Sequence, residues 1–130
     1  MNTQSFTGDL KKFSDKTGIE LEVVVRKIAF DIYRGITEKT PVLTGRAKGN
    51  WNIGLGRINN SINESATSTP KGSAGKLKIP LKGAGLKSIY ITNNLPYIYT
   101  LEYGNASRTP NNMVSSTMNE TARMVRNVIR

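Results

Sequence analysis

Apolar residues recur at helical spacing through the first part of the chain. Phe6, Leu10 and Phe13 follow one another at intervals of four and three residues, which predicts a first helix that Gly18 ends. A second, longer helix is predicted from about residue 19 to residue 38, because its apolar positions form one continuous stripe. That stripe consists of Leu21, Val25, Ile28, Ala29, Ile32 and Ile36.

Two later segments alternate between apolar and other residues, as strands with one buried face do. In residues 51–55 the apolar positions are Trp51, Ile53 and Leu55. Residues 87–93 predict a second strand, with Ile89 and Ile91 on one face. A single helical turn is predicted around Arg46 and Lys48, just before the first strand.

Residues 59–86 lie between the two strands and predict a long, flexible, basic loop. Asparagine, serine, threonine, glycine and proline dominate this stretch, and lysines are spread through its second half. A loop of this length in a small domain is either functional or disordered. The run from Leu77 to Leu81 is predicted at most as an edge strand, because Pro80 keeps it out of the middle of a sheet.

The end of the chain predicts a short helix or turn and then a last helix. Residues 96–104 form the short element, which Gly104 ends. Pro110 is predicted as the first residue of the last helix, with Thr109 as its cap. That helix should run from about residue 111 to the C terminus, and its apolar face consists of Val114, Met118, Ala122, Val125 and Ile129.

This order of elements is typical of an α+β fold, in which helices cover one face of a small antiparallel sheet. We expect one domain over residues 1–130, packed by the long N-terminal helix and the C-terminal helix, with the basic loop as its flexible part. A chain of 130 residues has room for little more than one such core.

Residue composition argues against catalysis. The chain has no cysteine and no histidine, which removes the commonest metal ligands and the commonest general base. Beyond residue 40 the acids are Glu64, Glu102 and Glu120, and nothing predicts that two of them converge. We therefore expect no catalytic, cofactor-binding or metal-binding residues, no small-molecule substrate and no enzymatic activity. No segment approaches the roughly 20 apolar residues of a membrane span, so no membrane partner is expected.

Charge is unevenly distributed along the chain. Residues 1–40 hold seven basic and six acidic residues, a net charge of +1, whereas residues 41–130 hold twelve basic and three acidic residues, a net charge of +9. Such an excess attracts nucleic acid or an acidic protein surface. Solubility alone would also account for it.

The segment TNNLPYIYTLEYGNASRTPNNMV, residues 92–114, holds three of the five tyrosines. It could be a ligand cleft, a stacking surface for nucleic acid or a corner of the core. The last of these is favoured because the tyrosines alternate with Leu95, Ile98 and Leu101, so we expect them to pack in the core with their hydroxyls at its rim. Glu102 is either an anchor for a cation or a partner, or one half of a salt bridge, with Arg46 or Arg108 as the other half.

Two motifs in this chain resemble a family of head–tail joining proteins of long-tailed bacteriophages, variously called neck, tail-completion or minor tail proteins. The first, T-P-V-x-T-G-x-x-x-x-x-W, enters the first strand, and the second, N-x-x-x-Y-x-x-x-x-E-Y-G, follows the second strand. The resemblance spans about residues 20–130. The matching positions are Thr40, Pro41, Val42, Thr44, Gly45, Arg46, Trp51, Asn93, Tyr97, Glu102, Tyr103, Gly104, Pro110 and Met113.

The resemblance implies a structural virion protein at the junction of head and tail, assembled in the host cytoplasm. Such a protein would form a homo-oligomeric ring, a hexamer or a dodecamer, and bind other neck and tail proteins. The motif residues Pro41, Thr44, Gly45, Arg46, Trp51, Tyr97, Glu102, Tyr103 and Gly104 would then determine the fold. Contacts with partners would fall on the basic loops, at Lys71, Lys76, Lys78, Lys82, Lys87 and Arg108.

The charge distribution supports a second hypothesis, a basic nucleic-acid-binding module that uses the loop lysines. The two hypotheses are compatible, because packaged DNA passes through the neck and would contact such a ring transiently.

Overall fold

The computed structural model of the chain describes residues 3–41, 46–58, 60–62 and 88–130, with side chains from Phe6 onward. Most of the predicted basic loop lies outside these residues, and so does the predicted edge strand at residues 77–81. The predicted functional and motif positions outside the described residues are Val42, Thr44, Gly45, Lys71, Lys76, Lys78, Lys82 and Lys87.

Helices and strands follow one another in the order that the hydrophobic periodicity predicts. They are α1 (Thr3–Thr17), α2 (Leu21–Lys39), α3 (Arg46–Gly49), β1 (Trp51–Leu55), β2 (Ile89–Asn93), α4 (Ile98–Tyr103) and α5 (Met113–Ile129). Gly18 separates α1 from α2 with a positive φ of 74°, as expected of a glycine at the end of a helix.

The two strands form an antiparallel sheet in which Trp51 is opposite Asn93 and Ile53 is opposite Ile91. The helices α1, α2 and α5 pack against one another, and α2 also contacts both strands. This arrangement confirms the predicted α+β class, with N-terminal and C-terminal helices on a small antiparallel sheet.

Both faces of β1 are buried, which corrects the prediction of a strand with one buried face. All four residues from Trp51 to Gly54 are buried. On the face that the alternation predicts to be solvated, the Asn52 side-chain amide donates a hydrogen bond to the carbonyl of Ser61 at 3.0 Å. The chain just beyond β1 therefore returns to its second face, and Asn52 is buried with a partner for its side-chain N–H, as a buried amide requires.

The first residue of β1, Trp51, is bonded to the C-terminal part of α2 at two points. Its indole N–H donates to the Thr40 hydroxyl at 2.8 Å, and that hydroxyl donates in turn to the carbonyl of Ile36 at 2.8 Å. The Tyr33 hydroxyl donates to the backbone carbonyl of Trp51 at 3.1 Å. These bonds are buried, so they fix the position of the sheet on α2 where water does not compete.

A close contact of backbone with side chain brings α2 and α5 together. A Cβ added to Gly35 would lie 2.8 Å from Cγ2 of Thr117 on α5, so the absence of a side chain at residue 35 permits this spacing. The Thr117 hydroxyl accepts a hydrogen bond from Nζ of Lys39 at 3.0 Å, and Nζ also lies 2.9 Å from the Glu120 carboxylate. Polar contacts thus flank the apolar seam between these two helices.

The environment of Tyr33 predicts a pH dependence of stability. Burial raises the pKa of its hydroxyl from 10.0 to about 12. The folded protein therefore keeps the proton while the unfolded chain loses it, and the free energy of unfolding falls as the pH rises from 10 towards 12, by at most about 1.4 kcal/mol per pH unit. Urea unfolding at a series of pH values measures this loss.

Tyr33→Phe isolates the contribution of this hydroxyl from that of all other groups in the protein. At neutral pH this variant is expected to be less stable by about 1 kcal/mol, because it lacks the bond to the Trp51 carbonyl. Above pH 10 the difference between the two proteins should shrink. A difference that stays constant to pH 11 and beyond would contradict the proposed burial effect.

Candidate functional site

The tyrosines of α4 and the residue before it project into solvent, which corrects the prediction that they pack in the core. The exposed fraction is 38% for Tyr97, 70% for Tyr99 and 59% for Tyr103. Leu101 and Glu102 occupy the inward face of α4 instead, and Leu95 is buried just before the helix. Because Tyr99 and Tyr103 are four residues apart, they lie together on the outer face.

We call the exposed side chains of Tyr97, Tyr99 and Tyr103, together with Arg46, the aromatic patch. The Tyr99 and Tyr103 rings are in contact, with centroids 4.5 Å apart and planes tilted by 44°. The guanidinium carbon of Arg46 lies 5.9 Å from the centroid of the Tyr97 ring, within the range of a cation–π interaction. Residues from both sequence motifs therefore meet on one surface.

The buried carboxylate of Glu102 binds the N-terminal end of α5. One of its oxygens accepts the amide N–H of Val114 at 2.9 Å, and the other accepts the amide N–H of Ser115 at 3.0 Å. The first amides of a helix have no partner within the helix, and a negative charge is favourable at that end. Glu102 thus supplies a cap from a distant part of the chain.

This geometry replaces the predicted salt bridge of Glu102. The two bonds to backbone amides supply the partners that a buried carboxylate requires. The expected ion pair with Arg46 or Arg108 is not among those found between described residues. Arg108 is half-buried, and its Nε is buried without a hydrogen-bond partner.

The backbone of α4 is joined to the segment before α5 by three more bonds. The carbonyl of Leu101 accepts both the backbone N–H and the side-chain amide of Asn111, at 2.9 Å and 3.0 Å, and the carbonyl of Glu102 accepts the N–H of Asn112 at 3.2 Å. Asn112 has a left-handed backbone with a φ of 50° and precedes the first residue of α5. The prediction that α5 begins at Pro110 with Thr109 as its cap was therefore wrong, because residues 109–112 are not helical and Asn111 and Asn112 bind the end of α4 instead.

Gly104 permits the tight turn after α4. Its φ is 73° and its ψ is −175°, a conformation that is essentially confined to glycine. A Cβ at this position would lie 2.5 Å from the carbonyl oxygen of Arg108 and 2.8 Å from the nitrogen of Pro110. The loop that follows closes on itself through reciprocal backbone bonds between Asn105 and Arg108.

The helical turn α3 is attached to the end of β2, and this attachment places Arg46 beside Tyr97. The side-chain amide of Asn93 donates to the carbonyl of Ala47 at 2.9 Å. The side-chain amide of Asn50 donates to the carbonyl of Arg46 at 2.8 Å. Of the other predicted motif residues, Pro41 is half-buried at the end of α2 and Trp51 is buried in the core.

A separate apolar groove of about 580 Å³ opens between α1, α2, β2 and α5. Sequence reasoning missed it, because each of its walls reads as an ordinary core-facing stripe. Its walls are chiefly aliphatic and aromatic and include Phe6, Leu10, Leu21, Val25, Ile89, Ile91, Val114 and Met118. Thr7, Lys11 and Ser88 add a few polar groups, so the groove offers chiefly apolar contact.

Across the part of the chain that the structure describes, no group of three or more acidic side chains is placed to hold a metal ion. None of the described helices is long and apolar enough to cross a membrane. The aromatic patch, with three exposed tyrosines beside Arg46, is suited to contact with another surface.

Comparison of the chain with models of protein families, with curated proteins and with solved structures finds no match in any of the three.

Replacing Glu102 should destabilise the fold by leaving two amides at the start of α5 without their acceptor. Glu102→Ala is expected to lower the free energy of unfolding by about 2–3 kcal/mol, and Glu102→Gln, which keeps one acceptor oxygen, by about half of that. Urea unfolding followed by circular dichroism measures both. The matched control is Glu120→Ala, whose carboxylate is 60% exposed in its pair with Lys39 and should cost less than about 1 kcal/mol. Equal losses for Glu102→Ala and Glu120→Ala would contradict the capping role.

Two glycines with nearly the same φ distinguish backbone strain from steric contact. Gly104→Ala should cost well over 2 kcal/mol, since the added methyl meets the Arg108 carbonyl in a conformation that alanine disfavours. Gly18 has a φ of 74° as well, but the space around an added methyl group is open. Gly18→Ala should therefore lower the free energy of unfolding by only about 1–2 kcal/mol. Thermal unfolding of the two variants in parallel tests this order, and the reverse order would refute it.

Proposed function

We propose that this protein is a structural component of the head–tail junction of a long-tailed bacteriophage, a tail-completion or neck protein that forms a ring and joins tail to head. The observation that carries the proposal is the pair of motifs by which the chain resembles that family. Within the described residues, the motif positions Trp51, Glu102 and Gly104 make contacts on which the fold depends. Motif residues with these roles serve the architecture of the fold, which suits a family defined by assembly.

The chemistry of the chain supports a role in assembly over catalysis. A chain without histidine and cysteine has few groups that could act as a nucleophile or a general base near neutral pH. Glu102, the acid in the tyrosine-rich segment, is committed to the start of α5. What α4 presents to solvent is aromatic, and exposed aromatic and arginine side chains are typical of protein interfaces.

The proposed partners are further copies of the chain, in a hexameric or dodecameric ring, and other neck and tail proteins of the virion. The excess of positive charge beyond residue 40 favours acidic surfaces on those partners. The protein would be assembled in the host cytoplasm and retained in the virion.

A second candidate function, binding of nucleic acid through Lys71, Lys76, Lys78, Lys82 and Lys87, is favoured by the same charge. A ring at the neck would bring these lysines near packaged DNA. Binding through phosphates alone would weaken steeply as salt increases.

Electron microscopy and mass measurement test the assembly proposal. The purified protein is examined alone and after mixing with the products of the neighbouring open reading frames, and rings are expected at least in the mixtures. The mixtures are the decisive samples, because connectors of this kind assemble on their partners. A monomer in the sample of the protein alone is therefore compatible with the proposal. A monomer under every one of these conditions would refute the proposal.

Titration with duplex DNA separates the two candidate functions. A DNA-binding module should bind at about 50 mM salt and lose affinity in proportion to the number of phosphates that it contacts. Replacing the five loop lysines with glutamine should abolish such binding. Failure to bind DNA at about 50 mM salt, in a regime where phosphate contacts are strong, would eliminate the second function.

A further inference from the structure

The turn between α1 and α2 presents an apolar side chain among charged ones. Ile19 is 40% exposed, and Asp15, Lys16 and Glu20 are exposed near it. The ammonium group of Lys16 is directed to the carbonyl of Arg130, so two carboxylates and one paired cation surround Ile19. The Ser14 hydroxyl donates to the carbonyl of Ile19 at 2.6 Å, and the N–H of Ile19 donates to the Thr17 hydroxyl at 3.3 Å. Local hydrogen bonds thus hold Ile19 in place, so ordering this turn adds little to the entropic cost of binding.

The aromatic patch combines exposed aromatic rings with a positive charge, which complements an apolar side chain flanked by acids. Tyr97, Tyr99 and Tyr103 are exposed, and Arg46 adds a cation beside them. Residues 88–112 contain one acid, Glu102, which points inward to α5. The outer face of α4 therefore offers aromatic area and positive charge without an exposed carboxylate to repel an acidic partner.

These two surfaces lie at opposite ends of α5. Nζ of Lys16, beside the α1–α2 turn, donates to the carbonyl of Arg130 at the C-terminal end of α5 at 2.7 Å. The α4 helix, which carries the aromatic patch, is bonded through Glu102 to the first turn of α5. The 17 residues of α5 span about 25 Å, so the turn and the patch of one copy are too far apart to meet.

We infer that the aromatic patch of one copy binds the α1–α2 turn of the next copy, with Ile19 against the tyrosines and the acids of the turn near Arg46. The inference rests on the proposed ring and names the two surfaces that would form it. Because the two surfaces differ, the contact is heterologous, and its repetition generates a closed ring or an open filament. Charge complementarity and the matching apolar centres favour a second copy as the occupant of the patch.

Cysteine crosslinking tests the contact directly, since the natural chain has no cysteine. Ile19→Cys and Tyr99→Cys are made as separate variants and mixed at a concentration on the order of 1 mM, at which even contacts with a millimolar Kd form. A short thiol-specific crosslinker should then yield mainly the mixed dimer. The chain that carries both cysteines should yield a ladder or a closed ring.

Met124→Cys is the matched control for Ile19→Cys, because Met124 is 38% exposed but lies on α5 outside the proposed contact. Mixed with Tyr99→Cys, it should give little crosslinked dimer. Equal yields from Met124→Cys and Ile19→Cys would overturn the inference, since they would indicate random encounter.

Sedimentation of variants without cysteines provides a second measurement. Tyr103→Ala, which leaves the crosslinking position unchanged, should weaken self-association at least tenfold, as expected for an aromatic anchor at the centre of an interface. Tyr90→Ala, which removes a 37% exposed tyrosine of β2, should leave it unchanged. Circular dichroism establishes that both variants remain folded.

The possible failures are distinguishable. Rings that form without the Ile19–Tyr99 crosslink would overturn this inference and leave the proposed function standing. A chain that stays monomeric at about 1 mM and gives no mixed dimer would also overturn it, whether or not rings form on partner proteins. Binding of a single-stranded oligonucleotide that is lost in Tyr99→Ala, without any crosslink, would assign the patch to nucleic acid instead.

Discussion

The carboxylate of Glu102 joins the two halves of the C-terminal region, and the position of the aromatic patch depends on it. It binds two amides at the start of α5, while the carbonyls at the end of α4 bind the segment that leads into α5. Each helix end thus supplies what the other lacks, donors from α5 and acceptors from α4. With Glu102 and Leu101 directed inward, the helical repeat directs Tyr99 and Tyr103 outward. The same interaction that fixes the fold therefore exposes the surface to which we assign a function.

The first motif joins β1 to α2 and to the residue that follows α2. Trp51 begins β1. Its indole binds Thr40, directly after α2, and its carbonyl binds Tyr33 of α2. Asn93, the strand partner of Trp51, attaches the α3 turn to the end of β2 and so brings Arg46 to Tyr97. The two motifs are distant in sequence, but they describe one connected structure that runs from α2 through the sheet to α4. This connection explains how both could be required by a single architecture.

Periodicity was sufficient to predict the elements that bury a continuous stripe. The α2 stripe and the two strands needed only local spacing, and their order gave the α+β class. Residues whose surroundings come from distant parts of the chain were harder to predict. Asn52 is buried because the chain returns at Ser61, and the start of α5 is set by Glu102 rather than by the local proline. The six residues of α4 are too few for periodicity to show which face is buried, so the tyrosines were assigned to the core.

The small area of the proposed contact explains how the protein could stay monomeric in free solution until a ring forms. One isoleucine with flanking acids against three tyrosines buries much less than the roughly 1,600 Å² of a standard stable interface. A single pair of copies would therefore dissociate readily. In a closed ring every copy is held by two such contacts, so the loss of one copy requires both to break together. A partner that already presents a ring of binding sites would supply the local concentration needed for closure. Weak, heterologous contacts at opposite ends of α5 thus favour assembly at the place where the ring is needed over assembly in free solution.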